Sequence, residues 1–205
     1  MHAQMHTKKF NGLLLAALLL PLAACQPRGL SLADVPESAP ATVQTVDGCD
    51  AHVQKPWVVG SATHTVEATT SGPTCAQAVV ALSIRSPDGT PELAWSSRTQ
   101  DLFGLADATD AKAMEAALND WVDQSNSMFA TSSALPVWAD GKDAPTSQST
   151  EFPFHPEAWF DRQAWEQMRK DNAPLFVFPQ GRESQAIFML RDGQLEPVGV
   201  QQFPG

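Results

Sequence analysis

Between Trp57 and Thr99 the apolar positions of this chain fall into short runs separated by turn residues, a β pattern. Trp57-Val58-Val59 opens one run, and Thr63 to Thr70 is dense in β-branched residues. Ser71-Gly72-Pro73 marks a turn, Ala78 to Arg85 continues with alternation, and Ser86-Pro87-Asp88-Gly89 marks another turn before Leu93 to Arg98. These runs predict three antiparallel strands. The period then changes. Ala111, Met114, Leu118, Trp121 and Val122 share one helical face, which predicts a helix within 109–125, with Asp107, Thr109 and Asp110 at its start. Trp159, Phe160, Ala164, Trp165 and Met168 predict a second helix, beginning at Pro156 and stopped by Ala173-Pro174. Leu175 to Phe178 reads as a buried strand, and the runs 185–191 and 195–201 about Asp192-Gly193 read as a hairpin.

Three strands, a helix, an irregular stretch over 126–154, a helix and three strands lack strict βα alternation. The expected class is α+β: one antiparallel sheet of about six strands with two helices packed on it. Residues 47–205 form that domain. Residues 25–46 carry Pro27, Pro36 and Pro40 among small and polar residues, with too little bulky apolar content to fold alone, and read as a flexible tether.

The N-terminal stretch follows a different logic. Lys8 and Lys9 precede the apolar run Leu13 to Leu20, which is shorter than the ~20 residues a bilayer span needs. Pro21 and then Leu22-Ala23-Ala24-Cys25 follow, with no acidic residue before Asp34. Basic flank, short apolar run and small residues at a cut site form a secretory signal over residues 1–24. The sequence Leu22-Ala23-Ala24-Cys25 resembles the lipobox of bacterial lipoproteins, a resemblance that covers residues 1–26. It implies that Cys25 is acylated and becomes the mature N-terminus, with the lipid bilayer as its partner. Two or more acyl chains hold a domain stably where one would not. Gln26 in place of the aspartate that retains many such proteins at the inner membrane implies the outer membrane.

The signal holds two of the 13 Lys and Arg and none of the 23 Asp and Glu. The remaining chain therefore carries 11 against 23, a net −12. A surface so acidic excludes nucleic acid as a partner and gives anionic headgroups nothing to bind. With Cys25 assigned to lipid, Cys49 and Cys75 are left as one disulfide, worth ~3.5 kcal/mol in the chain-entropy model.

Candidate chemistry is sparse. There is no GxSxG, no CxxC, no phosphate-cradling glycine loop and no zinc spacing around His52 and His64, so no metal or cofactor is expected. The paired acids Asp107/Asp110 and Asp120/Asp123 read as helix-start and solvated residues. Six Trp, ten Phe and no Tyr are unusual. The lack of Tyr removes the motifs of membrane-tethered inhibitors of c-type lysozyme. Trp138, Phe154, His155, Trp159 and Phe160 gather beside Pro136, Pro153 and Pro156 and are the expected binding surface for an envelope protein or glycan. The expected function is a non-catalytic binding or scaffolding module. The alternative is a small hydrolase or enzyme inhibitor, with His155 beside Glu157 or Asp161.

Overall fold

The structure is a computed structural model and describes residues 48–125, 127–145 and 153–203. The predicted signal, Cys25 and the tether lie outside the described residues. What it describes is α+β, with two antiparallel sheets of four strands each rather than one sheet of about six.

The first sheet is a meander of β1 (Ala51–Val59), β2 (Ala62–Ser71), β3 (Val79–Arg85) and β4 (Pro91–Arg98). Alternation puts Val53 and Trp57, Val66 and Ala68, and Val80, Leu82 and Ile84 on a buried face, while His52, Gln54, Ala81 and Arg85 face solvent. Gly60 adopts φ 60° in the two-residue turn after β1, a conformation a side chain would oppose. Cys49 and Cys75 form the expected disulfide, both buried. It fastens the chain before β1 to the link between β2 and β3. Cys49 N–H also donates to Gly72 O at 2.8 Å.

The second sheet has the order β5-β8-β7-β6: β5 (Phe154–Pro156), β6 (Leu175–Pro179), β7 (Ser184–Arg191) and β8 (Gln194–Gln202). Asp192 and Gly193 take φ 51° and 75°, the two positive values a type I′ hairpin needs. At Gly199 a Cβ would stand 2.4 Å from His155 O, so only glycine lets β5 lie this close to β8.

The helices are shorter than expected. In α1 (Ala111–Trp121), Asp110 Oδ1 accepts from Ala113 N, and Met114, Leu118 and Trp121 are buried. In α2 (Arg162–Asp171), Asp161 Oδ1 accepts from Ala164 N, Trp165 and Met168 are buried, and Asn172 ends the helix at φ 52°. Pro156 therefore does not open a helix. It closes β5, and the second helix begins six residues later at Arg162, behind its Asp161 cap.

The two faces of β6 serve different cores. Phe176 and Phe178 join the first sheet and α1, where Trp57 meets Phe176 at 5.3 Å and Phe178 meets Trp95 at 5.1 Å and Trp121 at 5.6 Å. Leu175 and Val177 join Phe129, Leu135, Phe154, Phe160, Trp165 and Met168 on the α2 side. The first sheet covers one face of β6 in place of further helices, and the expected strands divide between two sheets. The division is completed by β1, longer than its apolar end, and by β5, too short to show in the sequence pattern.

Candidate functional site

The residues expected to form a binding surface separate by depth. Trp138, Phe154 and Phe160 are buried in the α2-side core. Phe160 and Phe154 set their rings edge-on to Trp165 at 5.3 and 5.5 Å, and Trp138 Nε1 donates to Lys142 O at 2.8 Å. Phe154 and Phe160 pack, and Trp138 both packs and lines a groove. Trp159 and His155 keep the exposure a binding surface needs. Trp159 is 54% exposed and stacks on Phe160 with centroids 3.9 Å apart, so an open indole face rests on an ordered ring. His155 points to solvent from β5 because the next position back, Phe154, points in.

A shallow groove is lined by Val137, Trp138, Arg162, Glu166, Arg169 and Lys170. Arg162 pairs with Glu166 and Asp140, and these two carboxylates push its guanidinium still further toward the charged form. Arg169 donates to Leu135 O at 2.9 Å and Ser133 O at 3.1 Å, tying α2 to the irregular stretch. Val137 at the rim is 56% exposed. The groove thus offers an apolar rim and fixed cations.

The sequence gives no hint of a second groove, of about 550 Å3, along the seam between the sheets. One wall is Lys55 to Gly60 of β1, and the other is Val122 to Ser125 with Thr131, Pro174 and Leu175. Its β6 side is chemically closed. Gln124 Oε1 accepts from Val177 N at 3.0 Å and Gln124 Nε2 donates to Val177 O at 2.8 Å, so one side chain stands in for a neighbouring strand. Trp121 Nε1 caps Pro179 O in the same way at 2.7 Å. On the β1 side, the Gly60-Ser61 turn pairs Val59 with Ala62, so the backbone of Gln54, Pro56 and Val58 faces away from β2.

A buried acid–base pair lies on the inner face of the first sheet. The β3–β4 register shifts between Ile84 and Arg85, pairing Ile84 with Leu93 and Arg85 with Pro91, which leaves Glu92 as the extra residue of a bulge. The bulge turns Glu92 inward beside Leu93. Its side chain is 1% exposed, and Oε2 accepts from His64 Nδ1 at 2.7 Å, with the His64 side chain 5% exposed. The His64 ring also lies against Trp57 at 5.2 Å. Glu92 Oε1 is the one buried side-chain polar atom among the described residues without a hydrogen-bond partner. No Ser or Cys bonds to His64 among the described residues, so an acid and a base stand together without a nucleophile. His155, the histidine singled out in the sequence, has neither carboxylate on it, and Asp161 is engaged as the α2 cap.

No family model, no curated protein and no solved structure matches this chain. Among the described residues no cluster of His, Cys, Asp or Glu could hold a metal ion, and no helix is long and apolar enough to cross a membrane.

Proposed function

We propose that this chain is a lipid-anchored protein of the bacterial envelope, attached through acylated Cys25 and facing the periplasm from the outer membrane. Its folded part is a binding or scaffolding module without catalysis of its own. The lipobox-like Leu22-Ala23-Ala24-Cys25 supports the anchor. The observation that carries the binding role is Trp159, a half-exposed indole seated on Phe160; Arg162, three residues on, lines a groove with fixed cations. Aromatic and Arg anchors of this kind concentrate binding energy at protein and glycan interfaces. The partner is an envelope protein or glycan.

Two experiments test the reading. Incorporation of labelled fatty acid into the full chain should be abolished by Cys25→Ser, and label retained in that variant removes the anchor. In cells, a crosslinked partner should be lost with Trp159→Ala and kept with His155→Ala. Loss of a hydrolytic turnover with His155→Ala would instead favour an enzyme.

A further inference from the structure

The β1–β2 hairpin outruns its sheet. Thr65 is the last residue of β2 paired with β3, opposite Arg85, while β1 and β2 pair on to Val59 and Ala62. Residues 57–64 are therefore a two-stranded arm with no third strand, and isolated two-stranded ribbons are marginal in water. This arm is also a wall of the seam groove, which Trp57, Val58, Val59 and Gly60 line. Besides the packing of Val59 on the first core, two contacts hold it down. Trp57 packs edge-on against Phe176, and His64 reaches past the end of β3 to Glu92.

We propose that the His64–Glu92 pair is a latch that holds this arm closed over the seam groove and that the arm opens when the pair is broken. Three features point to a latch rather than to simple core packing. The bulge in β4 aims Glu92 inward, and bulges of this kind re-aim side chains at the cost of ladder regularity. The closed state leaves Glu92 Oε1 buried and unsatisfied, a penalty that opening to water removes. And the pair joins the arm to β4 beyond the end of β3, so that it ties the groove wall to the far strand of the first sheet. Among the described residues no other charged side chain bonds to either partner.

Spin labels on Ser61→Cys at the arm tip and Ser125→Cys across the groove read the opening directly, both positions being exposed. In the otherwise unaltered chain the distance distribution should be narrow. His64→Ala and Glu92→Ala should each lengthen and broaden it, and the double variant should look like either single one. Unchanged distributions in variants that melt cooperatively would overturn the latch. Where a variant fails to fold, a thiol at Val59→Cys in the full chain with the pair intact still decides the matter. Labelling in mild urea should run at least ~10-fold faster than global unfolding allows, and labelling only through global unfolding would refute the proposal.

Discussion

Ser132 joins three segments at one buried point. Its Oγ donates to Met168 O at 2.6 Å and accepts from Ala173 N at 2.9 Å, and its own N–H donates to Ala173 O at 2.8 Å. Ser132→Ala leaves an amide without its side-chain acceptor and a helix-end carbonyl without its donor. We expect a loss of ~1–3 kcal/mol in denaturant unfolding with an unchanged m-value. Asp88 shows the opposite, solvent-facing case. The Ser86 hydroxyl, followed by the N–H and hydroxyl of Thr90, draws its carboxyl down from 3.8 to about 2. A depressed carboxylate contributes to the β3–β4 turn above its ordinary value, and the contribution is lost as pH falls from about 4 through about 2. An NMR titration of the Asp88 carboxyl should show the low midpoint, and Ser86→Ala should raise it. At this scale the sequence was a partial guide. The disulfide followed from counting cysteines. Depth was not legible: Trp138 and Phe154, set among prolines, are buried, with Trp138 Nε1 donating to Lys142 O, while Trp159 stays half exposed. Glu92 gave no signal at all, since a one-residue bulge reverses the side on which alternation would place it.

Elements were legible where local chemistry decides them. Asp192-Gly193 supplies its own positive φ values, and Asp110 offers its own cap, so the hairpin stands where the pattern put it and the first helix starts there, ending four residues early. The second helix drifted because Pro156 suits a strand end as well as a first helical turn. The strand β1 was underread since Gln54, Lys55 and Pro56 break its apolar alternation, although pairing with β2 holds all nine residues extended. The closure of β6 lies beyond any local pattern, since Gln124 and Val177 are 53 residues apart. Gln124→Ala should expose the Val177 amide, speeding its hydrogen exchange while amides in β3 are unaffected, and should destabilise the fold by ~1–3 kcal/mol. Equal acceleration in both strands would mean that Gln124 supports the whole domain rather than this edge.

Across the whole molecule, the arrangement depends on sharing β6 between two cores. A strand of the type Leu-Phe-Val-Phe is apolar on both sides, so it must be covered twice, and the chain covers it with the first sheet and α1 on one face and with α2 on the other. The number of sheets follows from that double burial and from long-range pairing, neither of which a linear pattern of strands displays. The disulfide acts at the same scale, by closing the chain over a separation of 26 residues at the start of the described fold. Replacing both Cys49 and Cys75 with Ser should cost ~2–5 kcal/mol, read as a lowered thermal midpoint, with the larger loss in the first core. A midpoint that does not move would show that the hydrogen bonds from residue 49 N–H to Gly72 O and from Thr70 Oγ1 to the residue 49 carbonyl suffice to hold that corner.

Pro56 sits halfway along the outward margin of β1, where a strand from another copy would look for an N–H and find none. Gln124 already occupies the corresponding margin of β6. Two copies brought side by side therefore meet an interrupted ladder on one flank and an occupied one on the other. Crowding then raises the frequency of encounters along these two flanks without giving either an unbroken ladder to extend.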